Sequence, residues 1–411
     1  MKVSPVEFWI WLQTALGAGA RTDELLAYFE TPEQLYLAGS KEWRLSGLLT
    51  QTKIEALKRS TPSQTMAIIK ECNLKGYEII TPDNELFPRR LKNLSSMPLV
   101  LYGQGDCSAL NDELSIGIVG TRKASTYGTE IAQKLSYRLA EAGATIVSGG
   151  ALGVDSEAHA GAMLAKGRTV AFLGCGLSAN YLQENASLRR AITRYGAVVS
   201  EYSPFLMPSK ASFPIRNRLI SGVSLGIVVV EAGVKSGSLI TANRAAEQGK
   251  DVFAVPGDIV RSSFDGTNHL IKNGAKPVFS ALDVLSEYEF RYPELIDFKK
   301  AELPLSQLPY VNYRKPTKKK TPEKKIESPV SSQAEKIESV TVPKIDLEDT
   351  ASKNAKTVYG VLSETPMHID DIVRSTNLKL NIVLSSLTEL ELLGVCELTS
   401  GKKYKTITLK G

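Results

Sequence analysis

The stretch Ser209–Gly222, SKASFPIRNRLISG, brings together the residue types best suited to holding an anionic, flat-ringed ligand. If a helix starts near Phe213, Arg216 (i+3) and Asn217 (i+4) share a face with its ring. Ile215, Leu219 and Gly222 then fall on the opposite face and pack inward, while Arg218 points away and is placed to brace a loop. Lys210 adds a second cation just upstream. An aromatic ring beside cations and an amide can stack a base while its phosphate is held. The plain alternative is a surface helix with scattered charges. Residue types alone favour that alternative, so the surrounding elements have to decide.

Constellations for catalysis are sparse. Asp155 and His159, four apart on one helix, have acid–base spacing. The commoner use of such a pair is structural: the aspartate holds the helix start and the histidine bonds beneath a neighbouring loop. Ser148 lacks a nucleophile elbow. Cys175 has no adjacent base and reads as a buried thiol. Glu201 and Glu231 end two strands, and either face each other as paired carboxylates or separately order loop amides. Four scattered cysteines (Cys72, Cys107, Cys175, Cys396) and three histidines (His159, His269, His368) offer no metal-ligand spacing, so neither metal nor cofactor is expected.

Positioning elements follow from periodicity. Short β-branched runs at Leu99–Tyr102, Ile116–Val119, Thr145–Ser148, Thr169–Leu173, Ala197–Glu201, Ile227–Glu231 and Val252–Val255 alternate with helical stretches. The clearest of these helices are Tyr127–Ala142, Val154–Ala165, Asn185–Tyr195 and Leu239–Gln248. Such alternation predicts an α/β fold with an extended Rossmann-like parallel sheet, whose ligands bind beyond the carboxyl ends of the strands. Those ends are rich in small and charged residues: Gly120-Thr121-Arg122-Lys123, Ser148-Gly149-Gly150, Gly174-Cys175-Gly176, Glu201-Tyr202-Ser203-Pro204, Ser236-Gly237-Ser238 and Pro256-Gly257-Asp258. Glycines at Gly149 and Gly150, before a helix, suit close approach of amides to an anion. Neither the spaced-glycine dinucleotide fingerprint nor the Walker phosphate loop is present.

The chain has 411 residues, enough for two or three domains, and a formal charge of +6 that permits a polyanionic partner without requiring one. Residues 1–70 predict a small all-α domain, SAM/helix-hairpin-helix-like, with breaks at Gly17–Gly19, Thr31-Pro32 and Gly39-Ser40. Its Leu16–Gly19 turn either grips a DNA phosphate through backbone amides or simply packs. Residues 71–290 are the Rossmann-like domain. Residues 291–350 read as a flexible Pro/Lys-rich linker with blocks such as Lys318–Lys320 and Lys324-Lys325. Residues 351–411 predict three helices and a hairpin, a winged helix whose third helix carries Glu389 and Glu391 against Lys379. That acidity weakens a groove-reading role and leaves protein contact or tethering open. The first twenty residues read as an amphipathic helix rather than a signal peptide, and no stretch is long and apolar enough for a membrane span. A cytoplasmic protein with reduced thiols is expected.

At this point the motifs resemble one family, the DNA-processing proteins DprA/Smf. The resemblance runs in order through IVGTRKASTYG, SGGALGVDSEAH, LGCGLSANYLQEN, SEYSP, FPIRNRLISG, VVVEAGVKSGSLITA, GKDVFAVPGD and GTNHLIKNGA, from about Pro82 to Ser286. Two departures stand out. The family's usual glycine-serine-arginine turn is Gly120-Thr121-Arg122 here, and Leu152 occupies a position where arginine is frequent. The resemblance implies a non-enzymatic recombination mediator that binds single-stranded DNA, dimerises and helps load the RecA recombinase during natural transformation. It further implies that Arg122 and Lys210 hold phosphates and that Phe213 stacks a base. Arg216 and Asn217 would line the same pocket, while Gly120, Thr121, Gly149 and Gly150 present amides or allow close approach. The competing readings are a nucleotide-processing enzyme of the related phosphoribohydrolase type and a winged-helix regulator with a sensor domain. The proline-glycine-glycine stretch of the phosphoribohydrolases is absent, since Glu231-Ala232-Gly233 stands there.

Overall fold

The computed structural model describes residues 5–312 except 182, and then 352–363, 365–392, 395–399 and 403–406. Two compact units divide the chain at Lys318/Lys319. The first begins with five helices, α1 (Val6–Leu16), α2 (Asp23–Phe29), α3 (Pro32–Leu45), α4 (Gln51–Arg59) and α5 (Met66–Lys75). Leu12, Leu26, Phe29 and Leu35 bury inward around Trp9, Trp11 and Trp43. The break expected at Gly39-Ser40 is a kink inside α3, where Gly39 takes φ +72°, a left-handed value that costs glycine little. Leu99, Val100 and Tyr102 belong to the same apolar cluster, so the helical layer packs on the edge of the sheet that follows.

That sheet has nine strands: β1 (Glu78–Ile80), β2 (Leu101–Gly105), β3 (Ser115–Val119), β4 (Thr145–Ser148), β5 (Thr169–Leu173), β6 (Gly196–Ser200), β7 (Gly226–Val229), β8 (Asp251–Ala254) and β9 (Lys276–Pro277). Their spatial order is β1-β2-β6-β5-β4-β3-β7-β8-β9. From β6 to β9 every pairing is parallel, as expected, and Thr145–Ser148 and Thr169–Leu173 match the predicted runs. The exception is the β1–β2 edge, where both β1–β2 and β2–β6 are antiparallel. No crossover helix joins β1 to β2, and without one the chain returns antiparallel. Two strands were not anticipated, β1 and β9, which are only three and two residues long.

Helices cover both faces: α6 (Thr126–Glu141), α7 (Val154–Leu164), α8 (Ala186–Ile192), α9 (Ser212–Val223), α10 (Gly237–Glu247) and α11 (Asp265–Lys272). The alternation of side chains along each strand sorts them. Ile116, Ile118 and Ile146 join Leu135, Leu139 and Ala158 of α6 and α7. Val119, Val147, Val170 and Phe172 join Leu219, Ile220 and Val223 of α9, with Ala242 and Ala245 of α10. Gly117 keeps the sheet close-packed, since a Cβ there would lie 2.2 Å from Ile227 Cδ1.

The expected linker start at residue 291 is corrected. Tyr292, Ile296 and Ala301 are buried in the α6/α7 cluster, and Asp297 N donates to Ala142 O. Gln133 clasps the strap further along, accepting from Val311 N at 2.8 Å and donating to Val311 O at 2.9 Å. Enough apolar side chains recur through Ile296, Ala301 and Leu305 to hold this piece down. The lysine runs at 318–320 and 324–325 lie outside the described residues.

The second unit contains helices Lys353–Tyr359, Ile369–Thr376 and Leu380–Leu392 and a small antiparallel sheet. In that sheet Lys403–Thr406 lies between Met367–His368 and Cys396–Thr399. This is the expected winged helix, with Val383, Leu387 and Leu390 inward. The short Met367–His368 strand is an addition. The end of the expected hairpin lies outside the described residues. Glu389 of the third helix is engaged at home, accepting from Ser352 N and Oγ at 2.7 Å each, which lowers its carboxyl pKa. Among the described residues no helix is long and apolar enough to cross a membrane, and no cluster of three His, Cys, Asp or Glu is placed to hold a metal.

Candidate nucleic-acid interface

In strand order β3 has β4 on one side and β7 on the other. The chain leaves β3 toward β4 and leaves β7 toward β8, so the loops beyond these two neighbours diverge and a crevice opens between them. A cleft of about 360 Å³ lies there. Its walls are the Gly120–Arg122 turn after β3, the start of α9, and the Ser236–Thr241 start of α10. Thus the helix singled out by residue type stands at the one place in this sheet where topology calls for a ligand.

Six of the nine expected site residues line this cleft: Gly120, Thr121, Arg122, Phe213, Arg216 and Asn217. Arg122 is exposed, and its guanidinium lies over the Phe213 ring, 4.8 Å from the centroid. Tyr181 approaches the same ring at 5.8 Å and 42°. Phe213 is therefore half-buried, with a cation on one side. Gly174 allows the ring to settle, because a Cβ there would meet Phe213 Cδ1 at 2.8 Å.

Arg216 is buried at 4% exposure in the floor. Its Nη1 donates to Phe172 O at 2.7 Å, and its Nε has no hydrogen-bond partner. Asp155 stands near it and accepts weakly from Ala151 N at 3.4 Å. Burial pushes the Asp155 carboxyl up, and the Arg216 charge pulls it back. Burial likewise lowers the Arg216 guanidinium, opposed first by Asp155. A buried cation beneath the cleft makes its floor electropositive, which favours an anionic group above it. Asn217 spends one amide donor on Gly237 O at 3.3 Å, tying α9 to the α10 start.

Three expected residues do not line the cleft. Lys210 is exposed in the loop ahead of α9, beside a reciprocal Ser209–Ser212 cap in which each backbone amide bonds the other's hydroxyl. Gly149 lies behind the floor. A Cβ there would fall 2.0 Å from Arg216 Nη1 and 2.6 Å from Asp155 Oδ2, so its role is close approach rather than amide donation. Gly150 makes a turn at φ +67°, and its carbonyl accepts from Asn185 Nδ2.

One amide after β3 and the first of α7 are also spoken for. Thr121 N donates to Glu231 O at 2.8 Å, and Val154 N at the start of α7 donates to Thr121 O at 3.2 Å. The α7 start thus offers no free anion cradle through its first amide. The α10 start, by contrast, was not among the expected site residues although Ser236-Gly237-Ser238 precedes a helix in sequence. Ser236, Ser238 and Thr241 line the cleft, and the Ser236 and Ser238 hydroxyls are 2.8 Å apart. Serines at a helix N-terminus beside a glycine were the available signal.

The carboxylates resolve as separate loop organisers. Glu201 accepts from Arg218 Nη2 with both oxygens at 2.6 Å and from Gly19 N at 3.1 Å. Arg218 is therefore the brace its position on the helical wheel implied, and the Gly19 amide is turned into the core instead of toward a DNA phosphate. Glu231 Oε2 accepts from Ser125 N and Oγ at 2.9 and 2.8 Å, fixing the start of α6. His159 Nδ1 pairs with Thr169 Oγ1 at 2.7 Å, on a strand rather than under a loop, and burial pushes its pKa down to about 3. Cys175 is buried and its thiol is pushed up, as for an inert side chain.

Fold and cleft together define a Rossmann-like protein with a cationic, aromatic cleft and an appended winged helix. A family model described as DNA recombination-mediator protein A matches residues 78–289, and one described as the DprA winged helix domain matches residues 343–402. The chain is 40% identical over 213 residues to DNA processing protein DprA of Bacillus subtilis (strain 168), covering 52% of this chain and 72% of the relative. It is 34% identical over 340 residues to Protein Smf of Synechocystis sp., covering 82% of each. The solved structure of DNA processing protein A from Streptococcus pneumoniae superposes with a TM-score of 0.62 at 33% identity, over 71% of this chain and all of that one. The chain belongs to the DNA recombination-mediator protein A family, DprA/Smf.

Proposed function

We propose that this chain binds single-stranded DNA in the β3/β7 cleft and acts as a recombination mediator that helps load RecA, without turning over a substrate. The observation that carries the reading is the Arg122–Phe213 pair, stacked at 4.8 Å at the mouth of a cleft floored by the buried Arg216. A base stacks against the Phe213–Arg122 platform, a mode that accepts any base because every base has a π-face. Phosphates sit against Arg122, the exposed Lys210 and the Ser236–Ser238 helix start. Glu201 is held by Arg218 through both oxygens and Glu231 through one oxygen by the start of α6, which supports binding over hydrolysis. Homodimerisation and a role in natural transformation belong to the same reading, which the family membership supports. RecA loading is tested by following RecA filament growth on oligonucleotides coated with single-strand-binding protein. This chain accelerates growth, and a variant lacking Phe213 does so far less. Equal acceleration by both proteins would refute the proposed site.

A further inference from the structure

A second basic surface lies at the amino ends of the strands, opposite the Phe213 cleft. Arg90 is fixed there from several elements. Its Nη1 donates to Asp112 O at 3.1 Å and to Ser115 Oγ and Val223 O at 2.9 Å each, and its Nη2 donates to Glu113 O and the Tyr292 hydroxyl. Every one of these acceptors is neutral, so the guanidinium is immobilised with its charge intact. Lys250, just before β8, is half-buried, and Arg291 is exposed with its guanidinium 5.2 Å from the Tyr292 ring centroid. Burial first, then Arg90 and Arg291, hold the Lys250 ammonium below its ordinary value, opposed by Asp251. Asp251 is itself bonded by the Tyr288 hydroxyl at 2.9 Å. Among the described residues none of the three cations has an ion-pair partner. Like charges gathered in this way repel one another, a cost that a bound anion offsets. The turn that carries Arg291 also presents Phe290, which is 99% exposed. Of the carboxylates beside it, Glu287 pairs with Lys276 and Glu289 is exposed. An accessible ring beside accessible cations suits a base and the phosphates that flank it.

We propose that Lys250, Arg291 and Phe290 form a second contact for single-stranded DNA, in which the two cations hold phosphates beside the fixed Arg90 charge and Phe290 stacks a base. This rests on the reading of the Phe213 cleft as a strand site and extends it, since the strand held there continues round the sheet to this surface. The span is short. Ser115, bonded by Arg90, and the Gly120–Arg122 turn of the cleft bracket the two ends of β3, whose five residues cover about 16 Å.

The test uses the full chain and the variants Arg291→Gln, Lys250→Gln and Phe290→Ala, each checked for cooperative thermal unfolding. Fluorescent oligo(dT) of about six nucleotides reads the cleft alone, and oligo(dT) of about forty reads both surfaces. With the long strand, each lost phosphate contact flattens the slope of log affinity against log salt by about 0.7. Phe290→Ala weakens long-strand binding by about fivefold or more, with that slope unchanged. The short strand binds all three variants as it binds the unaltered chain. An unchanged slope for Arg291→Gln, or unchanged long-strand affinity for Phe290→Ala, overturns the proposal. Equal weakening of the short strand also overturns it, because the effect then lies in the cleft. Arg291 and Phe290 are exposed, so these two variants decide even if Lys250→Gln does not fold. Indifference of both lengths to Phe213→Ala counts instead against the cleft reading and leaves the long-strand readout standing.

Discussion

Replacing Gly149 with alanine tests the packing beneath the cleft. Gly149 is outside the left-handed region, so alanine meets no backbone strain and its whole effect arises from the added methyl. That methyl would stand 2.0 Å from Arg216 Nη1, whereas ordinary contact needs about 3.4 Å or more, so the guanidinium must shift by at least roughly 1.4 Å. Such a shift breaks the 2.7 Å bond to Phe172 O. It also moves the charge that faces Asp155, whose Oδ2 would itself be 2.6 Å from the methyl. A buried hydrogen bond from a charged donor contributes about 1.5–3 kcal/mol, and Gly149→Ala should lower the unfolding free energy by that amount. Urea denaturation followed by circular dichroism reads the change, with the slope unaltered. The same variant should weaken oligo(dT) binding, because the displaced guanidinium intrudes on the floor of the cleft. A stability loss below about 0.5 kcal/mol would refute the packing argument, since an ordinary surface substitution does no more.

The buried Glu201–Arg218 pair predicts that Arg218→Met destabilises the protein by about 3–5 kcal/mol, because it leaves a carboxylate buried with one amide for company. Urea midpoints check this, and a loss under about 1 kcal/mol would mean the pair is dispensable. His159 predicts acid sensitivity. Its folded pKa of about 3 lies below the ordinary 6.5, so its contribution is complete above pH 6.5 and is lost as pH falls toward 3. Stability should decline by up to about 1.4 kcal/mol per pH unit from this group in that window. His159→Gln should flatten that decline, and an unchanged slope would show that other groups set it.

Much of the central sheet was legible because buried parallel strands are written as short β-branched runs. Thr145–Ser148 and Thr169–Leu173 are seen at the expected residues for this reason. Strands of two or three residues, such as Lys276–Pro277, carry no period to read, and the antiparallel edge depends on the absence of a crossover. For the site, residue type pointed to Phe213, Arg216 and Asn217 and the family resemblance to Arg122, and the fold brings these four to one cleft. Spatial order was hidden: that β3 and β7 are neighbours, so Ser236–Thr241 face Gly120–Arg122, follows from pairing and not from any local motif. Glycine roles were ambiguous for a similar reason. Whether Gly149 offers an amide or clears space for Arg216 depends on a side chain sixty-seven positions away. The strap at residues 292–312 read as linker because its few apolar anchors are spaced irregularly and its partners, Gln133 and Ala142, lie far upstream.

The most direct measurement is a fluorescent oligo(dT) titration of the unaltered chain, Phe213→Ala, and an Arg122→Ala/Lys210→Ala/Phe213→Ala triple variant, across several salt concentrations. Loss of one stacked base predicts that Phe213→Ala weakens binding by about 1–3 kcal/mol with little change in salt dependence. Removing two phosphate contacts in addition should flatten the slope of log affinity against log salt by about 1.4 in the triple variant. Undiminished oligo(dT) binding by the triple variant would contradict the account.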